Sequence, residues 1–275
     1  MTKKEALTTP EIQHIELEIL LVFNDFCSLN NIKYELTFGT LLGSVRHGGF
    51  IPWDDDIDIV MDRDNYEKFL SLWKNDKNIA ILKNSDAVNK GVLVTKLVDT
   101  NYDVENLSFW KSKTLNHIWI DIFCADNVPD SEKDRQKFFK KLNRLYFLIN
   151  VKFRKIRKKG SVIEKTKDFI LVCLSVMFFF LNKRKLVQKL DTISQEFNNK
   201  KTKEKGFLNV IFAHPIPDLI DSSCFDVLIN GKFEGHLLPI PANYDVYLTK
   251  QYGDDYMELP PESKRESHNI ICFRK

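Results

Sequence analysis

A chain of 275 residues that is 43% hydrophobic and 29% charged has room for a substantial buried core, which excludes a disordered or fibrous protein. Forty-one lysines and arginines against 38 acids leave a formal charge of +3, too balanced to argue for a nucleic-acid partner. The cysteines (Cys27, Cys124, Cys173, Cys224 and Cys272) stand singly and the N-terminus has no apolar signal-like stretch, so reduced thiols in a cytoplasmic protein are expected.

From the N-terminus, Ile12, Ile15, Ile19, Phe23 and Phe26 recur at helical spacing behind Pro10, which predicts a first helix. "IKYELTF" alternates, with Tyr34, Leu36 and Phe38 on one side and Lys33, Glu35 and Thr37 on the other, and reads as a strand. "GTLLGSVRHGG" follows as a short turn and helix, then "DIDIVM" as a strand and "DRDNYEKFLSLW" as a helix. "IAILK", "GVLVTKLVD" and "HIWIDIF" are strand-like, the last with Ile118, Ile120 and Ile122 on one face and Asp121 on the other. From Ser131 to about Asn199 the pattern is helical and basic, and the final third mixes short strands with turns. The expected architecture is α+β: a catalytic core over residues 1–130, a basic helical insertion over 131–205, and a segment over 206–275 that packs back on the core.

The longest apolar run, "FILVCLSVMFFFL" (Phe169 to Leu181), is too short for the roughly 20 residues that cross a bilayer. It lies between Lys165 and Lys167 on one side and Lys183, Arg184 and Lys185 on the other, downstream of "KFRKIRKKG". Two placements fit: a buried core helix, or a helix lying in a membrane interface, with peripheral contact through 152–185.

The densest charge sits at "PWDDDIDIVM". On a strand, residues two apart share a face, so Asp54, Asp56 and Asp58 would line one side while Ile57, Ile59 and Met61 are buried on the other. Such a row needs a counter-charge, and a divalent cation with oxygen ligands supplies it; Mg²⁺ takes one or two carboxylates and completes its shell with water and phosphate. Asp121 offers a third carboxylate from another strand. A calcium loop is excluded, since its glycine and glutamate positions hold Ile59 and Asn65. Upstream, Gly39, Thr40, Gly43 and Ser44 open a turn after a strand, where backbone N–H groups can approach phosphate. Arg46 can pair with phosphate bidentately, and His47 can donate to it or serve as a base. Tyr66, Phe69 and Trp73 read as core; so do Trp110 and Trp119, although an aromatic pair also suits a quaternary ammonium.

Strand, Gly-Thr/Gly-Ser turn, helix and D-x-D strand together resemble the nucleotidyltransferase superfamily. More narrowly, "GTLLGSVRHGGFIPWDDDIDIVM" resembles the hallmark block of the LicD family, which includes bacterial phosphocholine transferases and is related to fukutin-type enzymes. "HIWIDIF" is similar to that family's second acidic strand. "LPIPANYDVYLTKQYGDDYMELPP" with Arg265 and His268 is similar to its closing motif. The resemblance implies a nucleotidyltransferase-like mixed sheet with flanking helices. It also implies transfer of a phospho-alcohol, phosphocholine from CDP-choline first of all, to a sugar hydroxyl of a surface glycan, lipid-linked in one reading, with release of CMP. By the same comparison Asp56, Asp58 and Asp121 are catalytic, and with Asp54 they hold Mg²⁺ or Mn²⁺. Gly39, Thr40, Gly43, Ser44, Arg46, His47, Arg265 and His268 then bind substrate. Transfer of ribitol- or glycerol-phosphate, or of a nucleotide from a triphosphate, is the alternative. The work is expected on the cytoplasmic side, at the inner face of the cell membrane.

Overall fold

A computed structural model describes residues 5–75, 78–83, 94–105, 117–153, 161–210, 219–265 and 271–275. The first helix, α1 (Thr9–Leu29), starts where the Thr8 amide donates to Glu11 Oε2 at 2.8 Å and Pro10 needs no hydrogen-bond partner. Its buried stripe of Ile12, Ile15, Ile19, Leu20 and Phe23 packs against the central sheet. The stripe also carries Glu16, only 1% exposed.

The strand expected over 32–38 is shorter than its alternation suggests: β1 is Glu35–Leu36 alone. Phe38 takes a left-handed φ of 46° and turns the chain at once into α2 (Phe38–Arg46). The ring of Phe38 packs at 5.1 Å from those of both Phe123 and Phe207, which holds this strained residue in place. Nor does the polar side of β1 reach water. Glu35 and Thr37 are buried, and the Thr37 hydroxyl bonds the Tyr247 hydroxyl at 2.6 Å.

After α2 come β2 (Asp58–Asp62) and α3 (Arg63–Leu72), capped by the Asp62 side chain on the Asn65 amide at 2.9 Å. Tyr66 and Phe69 of α3 are core, as expected, with Trp73 packed at its end. Next are β3 (Ile79–Leu82), β4 (Thr95–Asp99), β5 (Tyr102–Glu105) and the long β6 (Ile118–Val128). The sheet runs β1-β2-β6-β4-β3 and is mixed: β2 and β6 are parallel and the other pairs antiparallel. Ile118, Ile120 and Ile122 of β6 are buried on one face, as the alternation requires.

Beyond β6 come three helices, α4 (Glu132–Phe153), α5 (Val162–Met177) and α6 (Lys183–Ser194). Phe138, Leu142, Tyr146 and Ile149 of α4 form a second core with Leu186, Val187 and Leu190 of α6. A buried ion network ties these helices to the sheet. Arg63 of α3 donates through Nε and Nη2 to both Asp126 carboxylate oxygens of β6 (2.8 and 2.6 Å), and through Nη1 to Asp191 of α6 (2.9 Å). Most of the apolar run beginning at Phe169 stays out of both cores, although Leu181 at its end packs against the second. Phe169, Ile170, Val176, Met177, Phe179 and Phe180 are each more than half exposed, so the buried-helix placement is overturned.

The remaining elements return to the sheet. Strand β7 (Glu204–Gly206) pairs the far end of β6, and β8 (Leu219–Asp221) pairs β7. The hairpin of β9 (Leu228–Phe233) and β10 (His236–Pro241) lies over α2, and α7 (Tyr244–Tyr252) packs beside it. Last, β11 (Ile271–Arg274) pairs β5.

Candidate active site

The seam between β2 and β6 is where the chemistry concentrates. Their parallel register sets Asp58 directly opposite Asp121, with Ile59 opposite Ile122, so the two carboxylates leave the same face while the isoleucines are buried. Parallel connections of this kind hold the strand backbones through bonds such as the Asp121 amide to the Ile57 carbonyl, 2.8 Å.

Asp54 and Asp56 do not lie on the strand. Strand β2 starts at Asp58, and residues 54–57 form the loop before it, so the shared-face argument for three strand positions is corrected. The loop achieves the convergence instead. Its backbone is pinned by Gln13 Nε2 of α1 on the Asp54 carbonyl at 2.7 Å and by the turn bond from the Asp54 amide to the Ile51 carbonyl at 2.9 Å. Burial, then the charges of Asp56, Asp121 and Asp54, push the Asp58 carboxyl well above the usual carboxylate range, with Lys96 pulling it back. Asp55 turns into the protein and is 4% exposed; burial chiefly raises the Glu16 carboxyl and the Cys272 thiol, and the charge of Asp55 adds to both.

Lys96 is the residue that sequence reading missed. It stands opposite Asp121 on β4, forms an ion pair with Asp121 Oδ1, and lies 4.4 Å above the Trp119 ring. Trp119 Nε1 donates to Asp121 Oδ2 at 3.2 Å, so both oxygens of this carboxylate are held. The covered face of Trp119 leaves it as a wall for Lys96. The signal was in the sequence, since "VTKLV" places a lysine inside an apolar strand, a position that lysine occupies only with a partner. Glu16 is a second omission. Burial, followed by the charges of Asp56, Asp55, Asp54 and Asp121, raises its carboxyl far above the usual range, and its Oε2 has no hydrogen-bond partner.

The glycine block divides into two roles. At Gly39 a Cβ would sit 2.6 Å from Asp54 Oδ2, so the bare Cα at the start of α2 lets the acidic loop close against it. Thr40 Oγ1 accepts from the Asp58 amide at 2.8 Å and fixes where β2 begins. Gly43 and Ser44 lie elsewhere: a Cβ at Gly43 would run into the Gly49 carbonyl oxygen, and the Ser44 hydroxyl donates to the Lys232 carbonyl at 2.8 Å. Gly43 therefore packs against the 49–51 loop, and Ser44 against the β9 hairpin.

Arg46 is also engaged. It donates through Nη1 to the Tyr256 and Glu258 carbonyls at 2.8 and 2.9 Å, and so anchors the segment that follows α7. Tyr252, at the end of that helix, is 41% exposed; partial burial of its hydroxyl, then the charges of Asp58, Asp54 and Asp56, push it upward, and Arg46 counters them. His47 sits edge-on to Trp53, with ring centroids 6.4 Å apart, and Arg265 stacks on Trp53 at 4.8 Å, so the start of the acidic loop carries a cationic and aromatic rim. Burial and the adjacent Arg46 hold His47 below its usual range. His268 and Trp110 lie outside the described residues.

Among the described residues no three carboxylates, histidines or cysteines form a ready-made cage. The acidic groups gathered at the seam offer only oxygen ligands, around a half-buried Asp58 where negative charge accumulates. That set fits a hard divalent cation which takes one or two carboxylates and leaves its other positions to phosphate and water.

Three comparisons bear on this geometry. Residues 31–155 match the family model described as "LicD/FKTN/FKRP, nucleotidyltransferase domain", which spans β1 through α4. Over 271 residues the chain is 31% identical to the lipopolysaccharide cholinephosphotransferase LicD of Haemophilus influenzae, covering 97% of each protein. A shorter match joins it to an uncharacterized protein of Rickettsia typhi, 39% identical over 77 residues, 27% of this chain and 23% of that one.

Proposed function

Because this chain belongs to the LicD family, we propose that it transfers phosphocholine from CDP-choline to a sugar hydroxyl of a lipopolysaccharide-type glycan and releases CMP. The observation that carries the reading is the pairing of Asp58 with Asp121 across two parallel strands, with Asp54 and Asp56 brought in by the loop above. In the reaction the bond from the choline-bearing phosphorus to the bridging oxygen breaks, and a bond from that phosphorus to the acceptor oxygen forms. The bridging oxygen leaves with CMP.

Asp56 and Asp58 would hold a Mg²⁺ or Mn²⁺ ion, with Asp54 beside them and Asp121 opposite. When bound, such an ion neutralises pyrophosphate charge and orients the oxygens around phosphorus. The acceptor proton goes to Asp121, whose carboxylate is oriented on both oxygens by Lys96 and Trp119. Asp54 against Gly39 sets the height of the acidic loop. Arg265 and His47 on Trp53 offer cationic and aromatic contacts to the nucleotide half of the donor. Thr40 acts through the backbone of β2, and Arg46 acts through the 252–258 segment. A lipid-linked acceptor would put this work at the inner face of the cell membrane. Among the described residues no helix is long and apolar enough to cross one.

Donor hydrolysis tests the reading without knowledge of the acceptor. Purified protein is incubated with Mg²⁺ or Mn²⁺ and, separately, CDP-choline, CDP-ribitol, CDP-glycerol and CTP. Slow CMP release from CDP-choline is the expected result. Release from CDP-ribitol or CDP-glycerol alone would reassign the transferred group. Pyrophosphate released from CTP would replace the proposal with nucleotidyl transfer.

A further inference from the structure

Helix α5 is mounted with its apolar side outward. Val162, Ile163, Phe169, Ile170, Val176 and Met177 are 53–81% exposed, while Asp168, the one acid among the described side chains of this helix, is fully buried. The exposed pairs repeat every seven residues, two helical turns, so they form a single stripe. Cys173 is exposed in the same stripe, and the turn after the helix extends it with Phe179 and Phe180, 81% and 68% exposed. A run of this size in water marks an interaction surface.

The surroundings identify what covers it. Lys165 and Lys167 are exposed beside the first turns of the stripe, and Arg184 and Lys185 beyond its end. On α4, packed against α5, Lys140 and Arg144 flank the half-exposed Phe147 along a shallow groove. An apolar stripe bordered by cations complements a bilayer with anionic headgroups, which takes large apolar side chains below the headgroups and lysines among them. A second copy would bring the same cations against each other. At 16 residues α5 is about 24 Å long, fit to lie flat in the interface and too short to span it.

We propose that the outward face of α5 and the Phe179–Phe180 turn dock this protein on an anionic lipid surface. The inference stands on exposure and charge and does not depend on which group is transferred.

Cys173 provides the probe, because the other four cysteines are buried. The full chain carrying an environment-sensitive fluorophore on Cys173 is mixed with vesicles of phosphatidylcholine, with or without phosphatidylglycerol, and unlabelled protein is floated with the same vesicles. Expected are a blue shift and co-flotation that strengthen with phosphatidylglycerol. Phe169→Glu with Ile170→Glu, in side chains already in water, should weaken flotation by roughly tenfold or more while circular dichroism stays unchanged. Lys165→Glu with Lys167→Glu should remove the preference for phosphatidylglycerol. The proposal is overturned if the protein ignores both vesicles. It is equally overturned if the blue shift arises without lipid and grows with protein concentration, which would assign the stripe to a second copy.

Discussion

The β2–β6 seam and helix α5 break the same rule in opposite directions. At the seam, charge is drawn inside: Asp58, Asp121, Lys96 and Glu16 are all largely withdrawn from water. On α5, apolar side chains are pushed out and the acid is hidden. Each arrangement costs free energy in the isolated chain, the first through desolvation and repulsion, the second through unburied surface. The compensation differs in kind. Within the seam, Lys96 and the Trp119 indole offset part of the cost internally, and the proposed divalent cation would offset more of it. For α5 nothing within the described protein covers the stripe, and compensation comes from outside.

The comparison can be sharpened experimentally, and the largest effect belongs to the joint between the two regions. Asp126→Ala leaves the buried Arg63 guanidinium only the partly exposed Glu67 and Asp191, and should lower unfolding free energy by roughly 3–5 kcal/mol in urea titration. A loss under about 1 kcal/mol would mean that sheet and helices are not joined through this network.

Next is Asp58→Asn, which should cut CMP release by about 100-fold or more, equivalent to roughly 2.7 kcal/mol, with the fold intact. Near-normal turnover would remove the seam from the chemistry.

The two glycines of the motif should then separate. Gly43→Ala meets backbone and should lower the melting temperature, the usual range for overpacking being roughly 1–3 kcal/mol. Gly39→Ala meets only the end of the Asp54 side chain, and should depress activity more than stability. Equal stability losses would contradict the two roles.

Smallest is Glu16→Gln. The folded-state value of Glu16 is raised above its ordinary 4.5, so its contribution favours the fold below that value and is lost as pH rises through the folded value. Without metal, Glu16→Gln should therefore raise the melting temperature at pH 8 and do little at pH 4. Each 1 kcal/mol corresponds to about 2–4 °C in a chain of this size. A lower melting temperature at pH 8 would mean that the ionised carboxylate is favourable where it stands.

The elements were largely legible, because periodicity reports burial directly: the stripe of α1, the alternation of β6 and the helix α3 lie where the pattern puts them. The misplacements share a cause. Alternation over 32–38 reads as strand, but Phe38 adopts a positive φ that its sequence does not announce, and packing against Phe123 and Phe207 pays for it. "DDDID" looks like strand alternation, yet Asp54 and Asp56 converge through a loop pinned from α1 by a glutamine 41 residues away. Ser44 sits within the phosphate-like motif, yet its hydroxyl bonds a hairpin 188 residues downstream.

Sequence by itself determined the family block, the α+β class and the identity of the carboxylates at the seam, since these depend on residue type and short-range spacing. Tertiary structure alone decided that Lys96 holds Asp121, that Glu16 adds a buried acid behind the cluster, and that α5 turns its apolar side to solvent. Those outcomes depend on which distant elements are neighbours, and register, burial and electrostatic coupling exist only once the chain has closed on itself.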